Sequence, residues 1–190
     1  MKIVGTGCGP GMLTEEAIAL LRAATLVYGS DRSIDLVRPY LPADCNLHEI
    51  ADYKRLRDLP ADAVVLSTGD PMLAGLGYLP GEVIPGISSL QVASARLKIP
   101  LTRVSVVSAH GRDHGLAIEE AGREVTRGKV VFLIADPAFS LDELVPALPP
   151  ATRIAVCEHL GYPEERIAVG TAAEPPEVAA ELFVVVAGDF

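Results

Sequence analysis

Residues Ile3-Val4-Gly5-Thr6-Gly7-Cys8-Gly9-Pro10-Gly11 constrain this chain more than any other segment. Two apolar residues suited to a buried strand run straight into a loop with glycine at every second position, and a helical pattern follows. Glycine lets the backbone bend freely and lets a ligand approach without meeting side chains. Such a unit either opens a ligand-binding α/β domain or forms a tight turn between a first strand and helix. The spacing narrows the choice. A dinucleotide fingerprint needs Gly-x-Gly-x-x-Gly. Its third glycine falls on Pro10 when counted from Gly5 and on Met12 when counted from Gly7. No Lys-Ser/Thr follows the loop, so it is not a phosphate-cradling nucleotide loop either.

Beyond the loop, Thr14 is placed to cap a helix whose first turn carries Glu15 and Glu16, where carboxylates oppose the helix dipole. Ala17, Ile18, Leu20, Leu21 and Ala24 continue it at helical spacing. Leu26–Tyr28 and Ala63–Ser67 read as strands, with a weaker one near Leu47 and a short one over Glu82–Ile84. Helices are expected over Ser30–Val37 and Ser88–Leu97, with short ones near Asp52–Arg57 and over Met72–Tyr78. Lys98–Leu101, which contains Pro100, reads as a linker. After it come strands at Val104–Ser108, Val130–Ala135, Ile154–Cys157, Arg166–Val169 and Leu182–Ala187, with helices only over Gly115–Thr126 and Leu141–Leu148. The last strands are joined by loops rich in Pro, Gly and Glu, so that end of the sheet is expected to be antiparallel. The fold class is therefore α/β in two domains: 1–100 with a mostly parallel sheet, and 101–190 with a mixed one.

Composition restricts the partners. The net charge of −9 argues against nucleic acid, because phosphate binding needs a basic surface. An anionic ligand would need a local group of arginines set against that background. Cys8, Cys45 and Cys157 are odd in number and lack a Cys-x-x-Cys pair, which gives neither a disulfide framework nor zinc-site spacing. No metal site is expected. No apolar run approaches the roughly 20 residues of a membrane span. With no signal peptide visible, the expected setting is cytoplasmic, with no membrane partner.

In an open parallel sheet, ligands collect at the carboxyl ends of the strands. Gly5–Gly11, Thr68–Leu73 and Pro85–Ser89 are all such loops, each rich in glycine, proline or small hydroxyl residues. Three motifs occur in order: Val-Gly-x-Gly-x-Gly-Pro-Gly from Val4, Ser67-Thr68-Gly69-Asp70-Pro71 with Gly75 beyond, and Val83-Ile84-Pro85-Gly86-Ile87-Ser88-Ser89. Together they resemble the tetrapyrrole methylases, which transfer methyl groups from S-adenosyl-L-methionine. The resemblance covers the whole first domain. Ser105-Val106-Val107-Ser108-Ala109-His110-Gly111-Arg112 is similar to the cobalamin-biosynthesis branch that methylates carbon 5 of precorrin-6Y or cobalt-precorrin-7.

The resemblance implies a cofactor folded in a cleft between the two domains. It would touch Pro10, Thr68, Gly69, Asp70, Leu73, Ser88 and Ser89, with a second-domain contact near Leu133 and another in the loop after Cys157. The first loop, with Gly7, Cys8 and Gly9, would face the tetrapyrrole substrate. Some members of the branch carry a fused carbon-15 methylase/decarboxylase. Here only the carbon-5 reaction is implied, with a separate carbon-15 enzyme as a partner. A homodimer is also implied. Rival readings are methylation of another tetrapyrrole carbon, or a non-enzymatic nucleotide or corrinoid binder.

Three residues carry two readings each. Asp70 either orients the ammonium group of the cofactor or hydrogen-bonds its own backbone in the turn before Pro71. His110 is either a proton acceptor for the methylated ring or an exposed loop histidine. Arg112 either holds substrate carboxylates bidentately or pairs with Asp113 or a nearby glutamate. Little else is asked of the protein. The sulfonium methyl is already activated, and positioning alone can lower such a barrier by about 7–11 kcal/mol.

Overall fold

Ile3 and Val4 are neighbours in strand β1 (Lys2–Gly5), both fully buried, and they join hydrophobic clusters on opposite faces of one sheet. The computed structural model describes residues 1–111 and 113–190. Contacts divide the chain into two units, Met1–Ser89 and Leu90–Phe190. That division falls before the linker expected at Lys98–Leu101. Ile99 is itself buried and donates its N–H to Ser94 O in the preceding helix.

In the first unit, β2 (Leu26–Gly29), β3 (Asn46–Glu49), β4 (Val64–Ser67) and β5 (Glu82–Ile84) join β1 in the order β3-β2-β4-β1-β5, all parallel. The register pairs Ile3 with Val65 and Val4 with Leu66. On one face Val4, Val27, Val64 and Leu66 pack against Ala17 and Leu21 of α1 (Glu15–Leu21) and Ile34 and Val37 of α2 (Asp31–Val37). On the other, Ile3 and Val65 meet Ile50, Leu56 and Leu79. Burial on both faces is why the central strand β4 reads as an unbroken apolar run. Thr14 caps α1 as expected, its Oγ1 accepting from Ala17 N–H at 3.2 Å, and Ser30 caps α2, its Oγ accepting from Ser33 N–H at 3.4 Å.

The expected helix over Met72–Tyr78 is instead a run of turns. Gly75 and Gly77 are poor helix formers. Two other bonds also claim the backbone there: Leu76 N–H donates to Ser67 Oγ at 3.2 Å and Gly77 N–H to Pro71 O at 2.9 Å. The short helix expected near Asp52–Arg57 is a 3-10 segment, Tyr53–Asp58.

The second unit begins with nearly all of α3 (Ser89–Leu97), followed by β6 (Val104–Ser108), α4 (His114–Thr126) and β7 (Val130–Ile134). Then come α5 (Leu141–Leu144), β8 (Arg153–Glu158), β9 (Arg166–Thr171) and β10 (Phe183–Gly188). The order is β6-β7-β10-β8-β9, with β6 and β7 parallel and every other pairing antiparallel, as the loop composition predicts. The helix expected over Leu141–Leu148 stops at Leu144 and continues as a 3-10 turn, Val145–Ala147, because Pro146 lacks the N–H a longer helix needs.

Candidate functional site

The loops after β1, β4 and β5 are bound to one another main chain to main chain. Thr6 N–H donates to Ser67 O at 2.9 Å. Gly7 and Gly69 exchange both bonds, at 3.2 and 2.8 Å, and Cys8 N–H donates to Ile87 O at 2.9 Å. Asp70 adds a side-chain tie: its Oδ1 accepts from Met72 N–H at 2.8 Å and its Oδ2 from Gly86 N–H at 3.0 Å. The turn reading of Asp70 is therefore realised, and the bond to Gly86 fastens the second loop to the third. An ionised carboxylate keeps further acceptor capacity beyond two bonds.

Two glycines show why this knot needs them. A Cβ on Gly86 would lie 2.2 Å from Gly69 O, closer than any side chain can sit. Gly7 has φ +75°, the left-handed region that side chains disfavour. Gly9 is buried and, among the described residues, does not share that positive φ.

Most of the sequence-predicted residues gather at this end of the first unit. Gly7, Cys8, Gly9 and Pro10 form the first loop, with Cys8 Sγ 3.5 Å from Met12 Sδ and Pro10 exposed. Thr68, Gly69, Asp70 and Leu73 lie in the second loop. Ser88 is buried in the third, and Ser89 begins α3. Thr68, Ser88 and Ser89 place small hydroxyls on these loops, and the missing Cβ of Gly86 lets the second and third loops meet backbone to backbone. Sequence reasoning missed Arg32 in α2, whose Nη2 donates to Thr68 Oγ1 at 3.4 Å. Arg32 lies three residues beyond Gly29, the end of β2, and the pairing of β2 with β4 brings it to Thr68.

The other candidates belong to the second unit. Leu133 is only 1% exposed and its side chain fills the core, with its backbone in register between Val107 of β6 and Val185 of β10. His110 is exposed in the loop after β6, and its N–H donates to Ile134 O at 3.1 Å. Arg112 lies outside the described residues. Asp136, after β7, holds the β6 loop: its Oδ2 accepts from Gly111 N–H at 3.3 Å and lies 3.2 Å from His114 Nε2, while its Oδ1 accepts from Ala138 N–H at 3.0 Å. The hydrogen bond with His114, followed by those from the Gly111 and Ala138 backbone, outweighs burial and holds the Asp136 carboxyl below the usual range. Gly111 and His114 lie 25 and 22 residues from Asp136, and no local pattern joins them to it.

Next to Cys157, Glu158 is 1% exposed yet charged, accepting from Arg166 Nη1 at 2.6 Å and from the N–H groups of Ala179 and Ala180. Burial pushes its carboxyl up, but the guanidinium and the two N–H groups together carry it below the usual range. Burial, then the nearby Glu165 and Glu158 charges, pushes the Cys157 thiol up to about 12. It is a protonated, inert core thiol.

A family model for tetrapyrrole (corrin/porphyrin) methylases matches residues 2–176. The chain belongs to this family. This tetrapyrrole methylase is 30% identical to the probable cobalt-precorrin-7 C(5)-methyltransferase of Methanocaldococcus jannaschii, over 88% of each chain. It is 29% identical to the decarboxylating precorrin-6Y C(5,15)-methyltransferase of Mycobacterium tuberculosis, covering 96% of this chain but only 50% of that one. The solved precorrin-6Y methylase of Archaeoglobus fulgidus superposes on it with a TM-score of 0.78 and 28% identity, over 99% of this chain and 97% of that one.

Proposed function

We propose that this tetrapyrrole methylase transfers the methyl group of S-adenosylmethionine to carbon 5 of a precorrin, precorrin-6Y or cobalt-precorrin-7, in cobalamin biosynthesis. The observation that carries the proposal is the knot of strand-end loops at Gly7–Gly69 and Asp70–Gly86. It ties three loops into one hydrogen-bonded unit at the carboxyl ends of a parallel sheet, where ligands of such folds collect. The position of methylation is supported by the near full-length similarity to the archaeal carbon-5 enzyme. The carbon-15 step is outside the proposal, because the chain spans about half the length of the decarboxylating relatives.

Thr68, Gly69, Asp70, Leu73, Ser88 and Ser89, with Pro10, would hold the cofactor, and the first loop would face the tetrapyrrole. When bound, the cofactor supplies an activated methyl on sulfur. The protein's task is to align that methyl with an electron-rich ring carbon and keep water away. His110, exposed after β6, is proposed as the acceptor for a ring proton, and Arg112 as a contact to a substrate carboxylate. We also propose a cytoplasmic homodimer; no helix of the described residues is long and apolar enough to cross a membrane.

The test is methyl transfer from isotopically labelled cofactor to precorrin-6Y and cobalt-precorrin-7, with the methylated carbon located by NMR. Label at carbon 5 is expected. Label at another carbon would reassign the enzyme within its family. Cofactor binding without transfer to any precorrin would favour a binding protein.

A further inference from the structure

We infer that Arg32 is a substrate-positioning residue that holds a carboxylate of the tetrapyrrole at the rim of the β4 loop. The inference rests on the reading of the substrate as a precorrin, a ring bearing acetate and propionate side chains. Arg32 is exposed in the first turn of α2, and its Nη2 reaches Thr68 Oγ1 at 3.4 Å. That bond is long for a hydrogen bond and uses one of five guanidinium donors.

Helix stability does not account for the residue. A cation in the first turn of a helix opposes the dipole, and the cap is already supplied by Ser30 with Asp31 beside it. Nor does an ion pair account for it. Among the described residues Arg32 has no carboxylate within 4.0 Å; the nearby Asp35 pairs with Arg38 at 3.4 Å. What sets Arg32 apart is its place: it contacts Thr68 at the carboxyl end of a parallel sheet, where ligands of such folds collect. A planar guanidinium there suits bidentate capture of a carboxylate. The long Thr68 contact aims the side chain toward the strand-end loops while leaving donors for a ligand.

Arg32→Gln and Arg32→Lys separate charge and geometry from packing. In Arg32→Gln, the KM for the precorrin substrate should rise at least fivefold, with kcat, S-adenosylhomocysteine affinity and melting temperature close to wild type. Arg32→Lys should recover part of the loss. An unchanged KM overturns the inference, and so does a parallel loss of S-adenosylhomocysteine affinity. If the wild-type protein methylates neither precorrin, the proposed function fails, and Arg32 is then read by optical titration with uroporphyrin III, an octacarboxylate. Weaker uroporphyrin binding by Arg32→Gln than by wild type keeps the assignment. Equal binding, or no binding by either, overturns it.

Discussion

Oδ2 of Asp70 accepts the backbone N–H of Gly86 at 3.0 Å, joining the loop after β4 to the loop after β5. The carboxylate is therefore part of the scaffold as well as of the surface. Asp70→Ala should lower stability by about 2 kcal/mol, through two lost charge-assisted bonds and two backbone donors left to find water. It should also weaken S-adenosylhomocysteine binding. Asp70→Asn keeps one acceptor but turns the other into a donor facing an N–H, so it should recover only part of the stability. Thermal melts and calorimetry on both variants check this; an Asp70→Ala protein of wild-type stability would show that neither bond matters to the fold.

Gly86→Ala is the smallest change that should break the knot. The added Cβ meets Gly69 O at 2.2 Å, and backbone cannot step aside as a flexible side chain can. Overpacking of this kind costs about 1–3 kcal/mol. Because the displaced atoms are the loops themselves, cofactor affinity should fall with stability. A melt matching wild type, with unaltered binding, would mean that the loops can separate freely.

Glu158 should make the second unit sensitive to acid. Its folded carboxyl is depressed by Arg166 and two N–H groups despite burial. Its contribution is therefore present above the ordinary glutamate range near pH 4.3 and is lost as the pH falls through the lower, folded value. Glu158→Gln should flatten the acid limb of stability measured between about pH 5 and pH 2. Arg166→Ala should destabilise by about 2 kcal/mol at neutral pH, less than for a fully enclosed pair because the Arg166 side chain is 45% exposed. An acid limb identical to wild type in Glu158→Gln would assign it to other carboxylates.

Asp136→Ala removes the acceptor shared by Gly111, Ala138 and His114. The β6 loop carrying His110 should then sample more conformations. The expected result is faster amide exchange at 109–111 and a lower kcat with S-adenosylhomocysteine affinity retained. Because the Asp136 carboxyl is depressed, the wild-type clasp persists at neutral pH and releases only in acid. Exchange rates unchanged by the substitution would remove Asp136 from any role in ordering that loop.

The sequence displayed what depends on local pattern. The strands of both sheets, the Thr14 cap and the three strand-end loops were visible because each is written in adjacent residues. Met72–Tyr78 misled because its apolar residues suggest a helix while its backbone donors are claimed by Ser67 and Pro71. Arg32 with Thr68, and Asp136 with His114, were hidden for another reason: each pair is made by strand order, which brings distant segments to one end of a sheet. Leu133 shows a further limit. A strand residue in an apolar run gives no sign of whether its side chain serves a ligand or the core.

The bonds between Gly7 and Gly69 and between Cys8 and Ile87 have a thermodynamic consequence. Fixing a residue's backbone costs about 1–2 kcal/mol in lost conformational freedom. Here that cost is met when the protein folds, because the loops fasten to one another through peptide groups that every sequence possesses. A ligand arriving at this surface does not have to organise it. Its affinity therefore carries little entropic discount, and the side chains along the loops are left to evolve toward whichever ring carbon the enzyme must reach.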